Sequence, residues 1–192
     1  MTADPIFAAT RRRSPLEGYA LPAGLREVPF LAQVDLRADA ADEAVTARLR
    51  AVIGTRPPTA PNTVAGDLTG IHALWLGPDE WLVVGPPTAE EELERRLRGA
   101  LDVAHGSVVD VSANRTILEL SGLRARAVLE GGCSIDLHPR AFGPNRCAQT
   151  LLGRANVILQ QLTDEPLYRI FVRPSFAVYL ATWLTGALEP KP

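Results

Sequence analysis

Segments whose apolar residues recur at every second position alternate along this chain with segments whose apolar residues recur every three or four. The first period belongs to a strand and the second to one stripe of a helix, so the order of the two constrains the fold strongly. Val28, Phe30, Ala32, Val34 and Leu36 form the first strand pattern, with Pro29 marking an edge or a strand start. Asp39 to Ile53 then reads as a helix. Val45, Leu49, Val52 and Ile53 share its stripe, Asp39, Asp42 and Glu43 favour its N-terminal end, and Gly54 closes it. Residues 55–67 carry Pro57, Pro58, Pro61 and Gly66 and read as a loop. Ile71 to Leu76 and Trp81 to Val84 flank Gly77-Pro78-Asp79-Glu80, which is a hairpin with a short turn. Thr88 opens a second helix, with Glu91 at the capping-box spacing and Leu93, Leu97 and Leu101 on the buried stripe. Glu91, Glu92 and Glu94 each precede an arginine by four residues, the spacing of helix ion pairs.

The second part of the chain repeats this order. Val108 to Val111 and Thr116 to Leu120 read as strands, and Leu123 to Glu130 as a short helix closed by Gly131-Gly132. Ser134 to Arg146 is an irregular crossover. Gln149 to Leu152, Asn156 to Gln161 and Leu167 to Val172 are strands. Pro174-Ser175 opens the last helix, with Phe176, Tyr179, Leu180, Trp183, Leu184 and Leu188 on its inner face. The expected fold class is α+β, with two similar halves of antiparallel sheet and packed helices. The expected organisation is an N-terminal arm over 1–25 and a single domain over 26–192, with halves at about 26–104 and 105–188.

Composition agrees with one globular domain: 192 residues, 46% hydrophobic and 22% charged. A formal net charge of −2 gives no nucleic-acid footprint. Arg11, Arg12 and Arg13 lead into Ser14-Pro15-Leu16-Glu17-Gly18, not into an apolar stretch, so no secretory signal is expected. No apolar run is long enough to cross a bilayer. With only Cys133 and Cys147, a cytoplasmic, reduced protein is the expectation.

Chemistry-bearing motifs are scarce. The sequence has no Gly-x-Ser-x-Gly elbow, phosphate loop or dinucleotide fingerprint, so no catalytic residue is assigned and no FAD, FMN or NAD is expected on this chain alone. Cys133, Asp136, His138 and Cys147 share one segment. They lack paired CxxC spacing and mix soft with hard ligands, so structural cysteines are the preferred reading and no metal is assigned. His72 and His105 read as surface histidines, His72 facing away from Ile71 and Ala73. Asp110, Ser112 and Arg115 lie in a short polar turn between strands, where a carboxylate suits the paired donors of a pterin-like ring. The preferred alternative is that Asp110 and Ser112 satisfy turn backbone groups while Arg115 packs nearby. Trp75 and Trp81 suit either an interface anchor or core packing.

Four stretches carry a family resemblance: WLGPDEWLVV at 75–84, VDVSANRTILELSG at 109–122, CSIDLHPRAFGPNRCAQT at 133–150 and SFAVYLATWL at 175–184. Through them the chain, from about residue 26 to its end, resembles the gamma subunits of heterotetrameric sarcosine oxidases. The first two also resemble the folate-binding domains of glycine-cleavage T-proteins. The resemblance implies a T-protein-like fold and a non-catalytic subunit of a complex with alpha, beta and delta chains, packed most directly on alpha. It implies oxidative demethylation of sarcosine to glycine with oxygen, giving hydrogen peroxide and, with tetrahydrofolate, 5,10-methylenetetrahydrofolate. FAD, FMN, NAD, tetrahydrofolate and zinc are then expected in the other subunits, with no nucleic acid or membrane as partner. Interface candidates are Trp75, Asp79 and Trp81 around the hairpin, and Arg140, Phe142 and Arg146 in the crossover. The competing expectations are a free-standing folate-binding or aminomethyltransferase-like protein, and the gamma subunit of a related N-methyl amine demethylase.

Overall fold

The computed structural model describes residues 12–189; the first eleven residues of the expected arm and residues 190–192 lie outside it. The elements in chain order are β1 (Leu25–Glu27), β2 (Leu31–Ala38), α1 (Glu43–Ile53), β3 (Val64–Gly66), β4 (His72–Gly77), β5 (Glu80–Pro87), α2 (Glu90–Leu101) and β6 (Gly106–Asp110). A 3-10 turn at Ser112–Asn114 follows. Then come β7 (Thr116–Ser121), α3 (Ala125–Glu130), β8 (Arg146–Leu152), β9 (Ala155–Gln161), β10 (Leu167–Val172) and α4 (Pro174–Leu188). No helix among the described residues is long and apolar enough to cross a membrane.

Local chemistry sets most boundaries. The Asp42 carboxylate accepts from the Ala44 and Val45 amides and so starts α1 four residues inside the expected span. Gly54 takes the left-handed conformation at φ 88 and ends it. The capping box expected at Thr88 does not form. Thr88 sits at φ 66, the cap position falls to Ala89, and α2 starts without a side-chain cap. Glu90, Glu91 and Glu92 in its first turn complement the helix dipole instead. Of the expected i,i+4 ion pairs only Glu94–Arg98 is made, at 2.7 Å; Arg95 turns back to Glu92 at 2.6 Å.

The strands form two five-stranded sheets, β3-β4-β5-β2-β6 and β1-β7-β10-β9-β8. Every pairing is antiparallel. α1 and α2 cover the outer face of the first sheet over Val34, Leu36, Ala73, Trp81 and Val83. α3 and α4 cover the outer face of the second over Leu118, Leu120, Leu159, Tyr168 and Ile170. The inner faces meet through Leu74, Leu82 and Val84 on one side and Ile117, Ile158 and Phe171 on the other. The result is a four-layer stack of helices, sheet, sheet and helices. Alternation along the central strands therefore separates two buried layers rather than core from solvent.

The halves exchange strands. β6 pairs with β2 in the first sheet, although it follows residue 104, and β1 pairs with β7 in the second, although it lies near residue 26. The expected division at 104/105 thus does not coincide with the sheets. Periodicity marks a strand but carries no information on which sheet receives it. The described part of the arm also packs on its own domain. Leu16 is buried in the second-sheet core, and the Tyr19 hydroxyl lies 2.6 Å from the Thr182 hydroxyl on α4.

Candidate functional site

The turn after β6 is the most polar connection between the two sheets. Asp110 Oδ1 accepts from both the amide of Ser112, at 2.9 Å, and its hydroxyl, at 2.5 Å. Ser112 Oγ in turn accepts from the Gln33 amide at 2.9 Å. The two side chains clamp the end of β6 to β2, as a structural turn requires. Both bonds fall on Oδ1, so Oδ2 is the oxygen of Asp110 left to accept, and Asp110, Ser112 and Arg115 all line one cleft. Arg115 is different. Its guanidinium makes no hydrogen bond or ion pair among the described residues, and its neighbour Arg173 is likewise unpaired. Burial first, and the charge of Arg173 next, lower the Arg115 pKa. Asp35 and Glu80 attract it from further away. Asp35 is itself raised by burial and then by the Glu80 carboxylate. Arg115 lines two clefts. One, of about 310 Å³, lies beside Arg13, Phe30 and Pro174. The other, of about 600 Å³, lies between Arg115, Arg173, Thr150, Leu151 and Asn156.

The hairpin residues separate. Trp81 is fully buried against the α1–α2 layer and donates its indole N–H to the Pro58 carbonyl at 2.7 Å. That corrects its candidacy as an interface anchor: its ring already sits in the chain's own core. Trp75, opposite it in the ladder, is half-buried with its N–H unpartnered. Asp79 is exposed at the tip, 3.5 Å from Arg37.

The crossover separates in the same way. Phe142 is buried in the second-sheet core, so it too is corrected from interface candidate to core residue. Arg140 is exposed, and Arg146 is half-buried in β8 with its Nε unpartnered. Asp136 accepts from the His138 amide at 2.8 Å, and His138 Nδ1 accepts from the Arg140 amide at 3.2 Å, so both shape the turn. The cysteines occupy different layers. Cys147 lies between the sheets, near the Thr63 and Trp75 carbonyls, and burial pushes its thiol up to about 12. Cys133 packs at the second-sheet core, partly exposed.

His72 is the largest departure from expectation among single residues. It is 1% exposed, because the face opposite Ala73 meets the second sheet rather than water. Burial first, and the Arg169 guanidinium next, push its pKa down to about 4. The Gln160 amide lies close enough to favour the charged ring slightly, yet neither ring nitrogen makes a hydrogen bond. Arg169 is held by Glu119 at 3.4 Å and by the Leu68 carbonyl at 3.2 Å. This polar patch joins the sheets and escapes sequence reading, because it is assembled from strands far apart in the chain.

Two features that the sequence reading did not single out are the unpaired Arg115–Arg173 pair and the outer face of α4. Phe176 and Tyr179, expected on its inner face, are 40% and 36% exposed, and Val178 is 48% exposed. α4 contains no charged residue in its fifteen positions, so the expected inner face is right for Leu180 and Leu184 but has no polar side to separate them from Phe176 and Tyr179.

The family profile described as "Sarcosine oxidase, gamma subunit family" matches residues 37–189. The chain belongs to this family. Among its relatives, the sarcosine oxidase subunit gamma of Corynebacterium sp. (strain P-1) is 42% identical over 193 residues, covering 96% of this chain and 93% of that protein. The subunit gamma of Corynebacterium sp. (strain U-96) is 44% identical over 167 residues, covering 86% and 78%. The structure of heterotetrameric sarcosine oxidase from Corynebacterium sp. U-96, in complex with pyrrole 2-carboxylate, superposes with a TM-score of 0.82 at 39% identity, over 92% of this gamma-family chain and 94% of that chain. The glycine cleavage system aminomethyltransferase T from Bartonella henselae superposes with a TM-score of 0.65 at 14% identity, over 90% of this chain and 48% of that one. The second match supports the fold alone.

Proposed function

We propose that this chain is the structural gamma subunit of a heterotetrameric sarcosine oxidase. The observation that carries the reading is the superposition on a chain of such a complex at 39% identity over 94% of that chain. The site geometry is consistent with it. Asp110 and Ser112 serve the fold, Cys147 is held as a buried thiol, and His72 is locked between sheets. On this reading the complex oxidises sarcosine to glycine with oxygen, releases hydrogen peroxide, and in the presence of tetrahydrofolate forms 5,10-methylenetetrahydrofolate. The reacting groups (FAD, FMN, NAD, tetrahydrofolate and zinc) reside in the alpha, beta and delta subunits, alpha is the most direct partner, and the complex works in the cytoplasm. The test is purification of the tagged chain from its native host. The expected result is a yellow, flavin-containing complex that produces peroxide when given sarcosine. Recovery of the chain without any flavoprotein overturns the proposal.

A further inference from the structure

A helix that is apolar on every side is normally covered on every side. α4 has no charged residue, yet one side of it is open, with Ser175 and Thr182 as the only exposed polar side chains on it. Its Leu180, Ala181 and Leu184 side press on the second sheet, while Phe176, Val178 and Tyr179 of its N-terminal half face outward. Its C-terminal half is partly covered by the chain itself, through Tyr19 on Thr182. The open half continues into its surroundings. Tyr179 accepts from the Arg154 amide at 3.1 Å and so touches the β8–β9 turn. The exposed Leu151 before that turn lines the 600 Å³ cleft that also holds Arg115 and Arg173. The polar groups that argue for a charge on the occupant are these two arginines. They have no ion-pair partner among the described residues, and the rest of the cleft's polar lining, Ser134, Gln149, Thr150 and Asn156, is neutral. The α4 N-terminus, capped by no side chain, opens beside Arg173.

Resting on the reading above, we propose that this face, from the Arg115–Arg173 cleft along Phe176, Val178 and Tyr179, is where another subunit of the oxidase docks. The docking segment presents apolar side chains to α4 and a carboxylate to the arginine pair. Charge complementarity selects this occupant: a second copy of this chain would bring two further unpaired arginines to the same place by symmetry. Covering the apolar row removes the exposed patch, and the carboxylate satisfies cations that the chain leaves unpaired. One wall of the cleft, Gln149, donates to the Leu76 carbonyl beside the hairpin at 3.0 Å, so the face borders the β4–β5 hairpin.

The test uses the whole complex, co-expressed and purified through a tag on another subunit. A photoreactive benzoylphenylalanine is placed at position 178 and, separately, at position 103, whose Val103 is almost wholly exposed at the far end of α2. Crosslinking to another subunit is expected from position 178 and not from 103. In parallel, Arg173→Glu should lower the amount of this chain recovered with the complex on the order of tenfold, with Val103→Glu unchanged. A glutamate at a helix N-terminus favours the helix, so such a loss reports the contact and not the fold. Intact complex without a crosslink from 178 overturns the proposed face. Undiminished recovery of Arg173→Glu overturns the arginine–carboxylate contact. If even the wild-type chain fails to co-purify, the gamma-subunit reading itself falls.

Discussion

α2 and α4 cover opposite ends of the stack. Each presses leucines and alanines onto a sheet: Leu93, Leu97 and Ala100 in α2, Ala177, Leu180, Ala181 and Leu184 in α4. Their other faces have opposite character. α2 carries four glutamates and three arginines; Glu91, Glu92, Arg95 and Arg98 are exposed, and Glu92–Arg95 and Glu94–Arg98 pair along it. α4 offers phenylalanine, valine and tyrosine. The first end is finished as a solvent surface, whereas the second is finished only when something covers it. Equal inner packing and unequal outer chemistry distinguish a stability requirement from an assembly requirement.

The largest expected effects test the equal half of that comparison. Leu97→Ala and Leu184→Ala each remove a fully buried side chain. Each should cost about 2–5 kcal/mol in denaturant unfolding. Similar costs sharpen the comparison, whereas a negligible cost for Leu184→Ala would break it by showing that α4 is loosely held. The polar patch between the sheets comes next. The unfolded chain protonates His72 near pH 6.5 and the folded chain holds off to about 4, so the unfolded state binds more protons in that window. Stability is therefore full above about 6.5 and falls as pH drops toward 4, by roughly 3 kcal/mol from this residue. Denaturant melts at a series of pH values should show this loss, and His72→Leu should flatten it. Because the patch joins both sheets, fluorescence and circular dichroism should report one shared transition.

Smaller effects test the helix starts. Asp42→Ala removes the α1 cap and should cost about 1 kcal/mol in thermal or denaturant melts. Smallest of all, Glu91→Ala on the outer face of α2 should change stability by no more than about 0.5 kcal/mol and leave co-purification with the other subunits untouched. A loss of assembly from Glu91→Ala would move the contact face to the wrong end of the stack.

Much of this architecture was legible in the sequence, for physical reasons that also mark where reading stopped. The β4–β5 hairpin, the Asp42–Gly54 helix and the strand order after residue 146 follow from local period and turn chemistry, and the four quoted stretches carry the family. What failed shares one cause. In a four-layer stack both faces of the central strands are covered, so alternation placed His72 correctly opposite Ala73 and still put it in water. The same layering put Trp81 and Phe142 inside. The exchange of β1 and β6 between sheets and the meeting of Arg115 with Arg173 depend on long-range pairing that no window of sequence contains. The turn role of Asp110 and Ser112, by contrast, was readable from residue type alone.

In the proposed docking, α4's outer face is an assembly surface and α2's is not. A cryo-electron microscopy structure of the heterotetramer containing this chain tests it most directly. Phe176 and Val178 should be covered by another subunit, with a carboxylate beside Arg173, and Glu91 and Arg95 should be in solvent. A structure with α4 facing water and α2 buried against a partner would contradict it.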